Sequence, residues 1–128
     1  MQRKPINPHS WTVKLGFDQA ELIEGHQRML VCSGQDAVDA DGNPRHPGDM
    51  AAQLELALDN LETILADADM TLANVARLNV YTTNVDEVIK QFPILNDRFG
   101  NNRYATSVLG VASLPAQFLV MLEATALD

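Results

Sequence analysis

A chain of 128 residues, 46% hydrophobic and 20% charged, holds one domain, large enough for a core yet small enough to gain from self-association. Seventeen acidic against nine basic side chains give a formal charge of −8, which argues against nucleic acid as a partner, because phosphate binding needs clustered Lys and Arg and the basic residues here are scattered. No apolar run is long enough to cross a bilayer, the basic start Met1–Pro8 leads into no apolar signal core, and Cys32 has no second cysteine to pair with. A cytoplasmic protein without a membrane partner is expected.

Residues 1–15, rich in Pro, Asn, His and Lys, are expected as an irregular lead-in, with a single domain over 16–128. Two short apolar runs, Gln19–Glu24 and Arg28–Ser33, flank Gly25-His26-Gln27 and predict a β-hairpin. Turn residues crowd Asp39–Pro44, and Asp49 is placed to cap a helix. From there Met50, Leu54, Leu58, Leu61, Leu65 and Ala68 recur at three- and four-residue steps, widened by Ala57 and Ile64, with Glu55, Asp59, Glu62 and Asp67 on the outer side. Val75–Thr83 alternates and is rich in β-branched residues, a strand. A second helix follows Asn84 with Val88, Phe92, Leu95 and Phe99 on one face, and Pro93 should kink or restart it. Residues 104–113 and 117–126 read as two adjacent strands joined at Leu114-Pro115. The order ββ-α-β-α-ββ is that of an α+β fold.

The last strand carries an argument for assembly. Phe118, Val120, Leu122 and Ala124 point one way, and Leu119, Met121, Glu123 and Thr125 the other. Both sets are largely apolar, yet two helices cover only one face of a sheet. The other face needs a neighbour, and a second copy is the simplest one. Arg77, Asn79 and Tyr81 alternate along their own strand and read as polar packing at that junction.

Most catalytic constellations are missing. His9, His26 and His46 lie far apart, no Cys-X-X-Cys exists, and no metal site is expected. Gly34, Gly42 and Gly48 form no phosphate-cradling loop, so no cofactor is expected either. Cys32 sits in a run that reads as core, a structural thiol, and Ser33 has no histidine that spacing would nominate as its base.

Four segments together resemble the RidA/YjgF family: Tyr104–Ala126 with its Leu114-Pro115 turn, Cys32-Ser33-Gly34-Gln35, Gln53 with Asn60-Leu61, and Asn79-Val80-Tyr81-Thr82. The resemblance covers about residues 16–126. It implies a YjgF-like (chorismate-mutase-like) single mixed β-sheet with two helices packed on one face, assembled as a homotrimer with small-molecule clefts between subunits. In the imine deaminases of that family, an Arg in a Pro-Ala-Arg-Ser motif grips the carboxylate of a 2-imino acid, and a carboxylate on the last strand positions a water with backbone groups of the Ser-Gly segment. Aligned on Leu114-Pro115, the arginine position falls on Thr106 and the carboxylate on Glu123. The chain thus resembles a branch lacking the deaminase arginine.

The same comparison makes Glu123 the catalytic candidate, against a structural reading as a hydrogen-bond anchor to a backbone amide or to Arg77. It makes Ser33, Gly34, Thr106, Ser107, Phe17, Phe92 and Arg103 the ligand-binding candidates, with Phe17 where the family places a tyrosine and Phe92 where it places an asparagine; Trp11 is expected to help shape the pocket. Arg103 is the one nearby cation that could reach back to replace the missing arginine, but an odd number of residues from Thr106 should turn it the other way along the strand, where it ends as a solvated charge. Asp18 and Asp36 are expected to face water. Hydrolysis of an imine, enamine or amide C–N bond in a substrate without an α-carboxylate is the activity implied, with a non-catalytic metabolite-binding trimer as the alternative. Ribonuclease activity is disfavoured by the acidic composition and the absence of a His-based acid–base pair.

Overall fold

The stripe beginning at Met50 folds as α1 (Met50–Asp67), and Asp49 caps it, its carboxylate accepting from the Ala52 amide at 3.1 Å. The computed structural model describes all 128 residues. Leu54, Leu58, Leu61 and Leu65 are fully buried, so each truncation to alanine removes about 2–5 kcal/mol. Val75–Thr82 forms β4. The second helical segment splits as Pro93 requires, into α2 (Val85–Lys90) and α3 (Phe92–Phe99), meeting at Gln91. The terminal strands are β5 (Ala105–Gly110) and β6 (Val120–Leu127).

Three sequence expectations are corrected. The lead-in is not irregular: Gln2–Ile6 is β1, and a 3-10 turn covers Ser10–Leu15. The predicted hairpin does not form, because β2 (Ala20–Glu24) pairs antiparallel with β1 while β3 (Met29–Val31) pairs with β6. The reason lies in side chains. Arg3 on β1 supplies the ion partner that Glu21 on β2 needs, with both carboxylate oxygens 2.8 Å from its guanidinium. Cys32, just after β3, turns into the core through a backbone bond to Ala124. Finally, β5 and β6 are not neighbours. The order is β3-β6-β4-β5, with β4 and β5 parallel and β4 and β6 antiparallel. A parallel pair needs a crossover, which α2 and α3 supply, and the 111–119 connection then passes the end of β4, held by Val111 to Thr82 and Thr83 to Leu119.

All three helices cover one face of this four-stranded mixed sheet. Leu78, Val80, Val120, Leu122 and Ala124 join the helix leucines in a single core. Arg98 on α3 clasps Glu55, Asp59 and Glu62 along the outer side of α1, a half-exposed network that aligns the two helices. The opposite face has no covering layer within the chain. Val31 is 72% exposed there and Met29 56%.

Candidate functional site

The alternation of β5 decides which candidate residues can meet. Thr106 pairs with Leu78, which is buried against the helices, and Ser107 pairs with Asn79 on the uncovered face. Adjacent strand residues point to opposite sides, so these two candidates cannot serve one pocket within the chain.

On the helix side, Thr106 and Val108 form the floor of a cleft of about 420 Å³. Phe92 and Ile89 wall it from α3 and α2, and Leu15 and Phe17 close it from the turn that follows Trp11. The Gly16 backbone, at φ 94°, makes that turn and lies so close to the Asn96 carboxamide that a Cβ would fall 2.4 Å from it. Trp11 stands edge-on to Phe17 with ring centroids 6.4 Å apart, supporting the wall from outside while remaining 59% exposed. The Thr106 hydroxyl donates to the Leu78 carbonyl. The lining is otherwise apolar except for Asn96 and Lys14, and no arginine reaches it.

On the uncovered face, Glu123 of β6 stands opposite Asn79, and Ser107 stands opposite Asn79 on the other side. Glu123 Oε1 accepts from Asn79 Nδ2 at 3.1 Å and from the Tyr81 hydroxyl at 2.9 Å. The bond to Glu123, together with burial and the carboxylate's charge, pushes the Tyr81 pKa up, so Tyr81 stays a donor. Asn79 Oδ1 is buried with no partner. Of the two structural partners foreseen for Glu123, neither a backbone amide nor Arg77 is used; the anchor comes from Asn79 and Tyr81.

Ser33 and Gly34 lie beside Glu123. Cys32 bonds to Ala124 and Gln35 to Leu122, so two residues bulge opposite the single Glu123. A Cβ on Gly34 at this bulge would fall 2.3 Å from the Met121 sulfur, so any larger residue there has to displace that side chain. Ser33 is exposed, and its carbonyl accepts from Gln35 Nε2.

Arg103 belongs to neither place. Its Nε donates to Asp18 Oδ1 at 2.8 Å, and Asp18 is only 2% exposed. Both expectations for this pair are corrected: Asp18 does not face water, and Arg103 is a tethered charge rather than a free one. The backbone amide of Asp18 bonds to the Tyr104 carbonyl on the edge of β5, which draws its side chain inward. Asp36 is half-buried, and burial raises its pKa. The three histidines are exposed. The eight candidates thus occupy three places: Phe17, Phe92 and Thr106 in the cleft; Ser33, Gly34, Ser107 and Glu123 on the uncovered face; Arg103 beside the N-terminal ribbon. Reasoning from sequence missed Lys14, Leu15, Ile89, Asn96 and Val108 as cleft residues. For Val108 the i, i+2 spacing from Thr106 carried the signal, and for Asn96 the i, i+4 spacing from Phe92; for the others no local pattern did.

The family model described as Endoribonuclease L-PSP matches residues 17–128. The chain belongs to the RidA/YjgF superfamily. A RutC family protein of Buchnera aphidicola is 30% identical, covering 96% of this chain and 89% of that protein. The 2-iminobutanoate/2-iminopropanoate deaminase of Rattus norvegicus is 29% identical, covering 98% and 90%. Among solved structures, YyfB of Yersinia pestis, a protein of unknown function of the conserved Rid family, superposes over the full length of both chains with a TM-score of 0.89 at 31% identity. The mixed α+β architecture described above is therefore that of its Rid relatives.

Proposed function

We propose that this Rid-family protein takes a small, mainly apolar metabolite without an α-carboxylate into the cleft floored by Thr106 and hydrolyses an imine, enamine or amide C–N bond in it. One observation carries this reading: five of the eight residues lining the cleft are hydrophobic, and none is an arginine. The rat relative is named for imines of butanoate and propanoate, which bear a carboxylate. Such a group would meet only Lys14 here, a point charge without the planar fork that grips a carboxylate twice. Loss of a shielded Arg–carboxylate pair costs on the order of 2–5 kcal/mol of binding, so efficient 2-imino acid deamination is not expected.

Glu123 lies on the other face of the sheet from Thr106, and it serves this chemistry only if a neighbouring copy brings its own Glu123 to the cleft. The uncovered face, with exposed Val31 and Met29 beside the Glu123 row, supports a homotrimer that closes in this way. In that assembly Glu123 takes a proton from the attacking water, backbone amides at Ser33-Gly34 and Ser107 hold the oxygen that bonds to the carbon, and the C–N bond breaks as the nitrogen picks up a proton and leaves as ammonia or an amine. A non-catalytic binding trimer is the second reading, and a specific observation favours it: Glu123 Oε1 is already committed to Asn79 and Tyr81. A charge of −8 weighs against an RNA substrate.

Ammonia release from 2-imino acids and from uncharged imines, both generated in situ, tests the reading. No acceleration is expected with the former, and clear acceleration there would overturn it. With uncharged substrates Glu123→Gln, which keeps an acceptor for Asn79 and Tyr81, should abolish turnover while leaving the melting temperature nearly unchanged. Ligand-dependent stabilisation with no product would establish the binder instead.

A further inference from the structure

We propose that the polar crevice between the β1–β2 ribbon and the loop joining α3 to β5 binds a small zwitterion of the α-amino acid class. The crevice encloses about 220 Å³ and shares no residue with the Thr106 cleft, so the proposal stands apart from the function argued above. At ~30 Å³ per liquid water it holds roughly seven waters, the size of a small amino acid.

Most polar atoms in it are already spent. Arg3 gives its donors to Glu21, to the carbonyls of Ala73, Val75 and Arg103, and to Asn102 Oδ1. Asn102 gives its amide hydrogens to the Leu72 and Val75 carbonyls. Two groups are left over. Asp18 Oδ1 accepts from Asn7 Nδ2 at 2.9 Å and from Arg103 Nε at 2.8 Å, while its Oδ2 accepts nothing from the chain. The Arg103 Nη1 and Nη2 groups likewise donate to nothing.

The Asp18 side chain is only 2% exposed, and what exposure it keeps leaves Oδ2 open to the crevice, where a ligand donor can take the place of water. The Nε bond meanwhile fixes the guanidinium plane and presents its terminal nitrogens as a ready fork for a second carboxylate. The surroundings select the ligand's charge. Arg3, Arg103, Asp18 and Glu21 sum to zero within a chain of charge −8. A bare anion would face Asp18, and a bare cation would face Arg103. A molecule with a carboxylate for Arg103 and an ammonium for Asp18 Oδ2 satisfies both, with Asn101 at the rim as a further amide.

The test is an amide chemical-shift titration of the intact protein with glycine and with L-serine, using acetate and methylammonium as half-ligands. Saturable shifts are expected at Asp18 and Asn101–Arg103 and none at Phe92 or Val108. Either half-ligand should bind at least about tenfold more weakly, the factor set by one lost charge-assisted contact. Arg103→Lys keeps the pair with Asp18, and hence the fold, but should weaken glycine about tenfold. In Asp18→Asn acetate should bind better than in the wild type and glycine no better than acetate. Three results would overturn the proposal: acetate binding as tightly as glycine, unaltered glycine binding in Arg103→Lys, or no saturable shift at about 10 mM ligand, where a millimolar site is mostly filled.

Discussion

Arg3 is the most exacting test of how the ribbon is held. Its side chain is 17% exposed and Glu21's only 4%, and the two meet through paired bonds of 2.8 Å. The same guanidinium reaches the Ala73, Val75 and Arg103 carbonyls at 2.9–3.0 Å. Arg3→Ala therefore strands a buried carboxylate and takes a donor from the Ala73 and Arg103 carbonyls and the Asn102 amide oxygen, while the Val75 carbonyl keeps its bond from Asn102. Breaking a buried pair from one side costs about 3–5 kcal/mol, a large share of the 5–15 kcal/mol typical of a domain. Urea unfolding followed by far-ultraviolet circular dichroism, at fixed protein concentration so that assembly does not shift the midpoint, measures it. Arg3→Ala/Glu21→Gln, which removes the orphaned charge, should recover about half of the loss. A loss below about 1 kcal/mol, with no recovery in the double variant, would refute the reasoning and reduce the contact to an ordinary surface pair.

Tyr104 is buried in the core against Phe99, and burial raises its pKa well above the usual value of 10, so the folded state keeps a proton that the unfolded state loses. This contribution is intact below pH 10 and falls by up to about 1.4 kcal/mol per unit above it, and Tyr104→Phe should flatten that part of an alkaline unfolding curve. Gly34→Ala must displace the Met121 sulfur and should cost about 1–3 kcal/mol in chemical denaturation, a loss that Met121→Ala relieves in the double variant. Thr106→Arg places a guanidinium in the apolar cleft: the melting temperature should fall, while calorimetry with pyruvate should show binding at least about tenfold tighter than in the parent. Unchanged pyruvate affinity in a folded Thr106→Arg protein would place the cleft's selectivity elsewhere.

The site was legible only as far as strand periodicity reaches. Phe17, Phe92 and Thr106 do share one cleft, and Glu123 and Ser33-Gly34 do share one neighbourhood. That these are two faces of one sheet was already implicit in the adjacency of Thr106 and Ser107, yet grouping them by resemblance put both in one pocket. Parity along the chain turns Arg103 away from Thr106; its partner Asp18 lies 85 residues earlier, beyond any local pattern.

What the sequence determined on its own are features decided within a few residues: the buried stripe and Asp49 cap of α1, the break before Pro93, and the alternation that sends Leu122 inward and Glu123 outward. Only the tertiary structure decided which strands pair, that β4 lies between β5 and β6, and that the N-terminal residues form a ribbon. Periodicity fixes the direction of a side chain relative to its own backbone. The choice of partner depends on groups as far apart as Arg3 and the Arg103 carbonyl, 100 residues away, and so on the energy of the whole assembled fold.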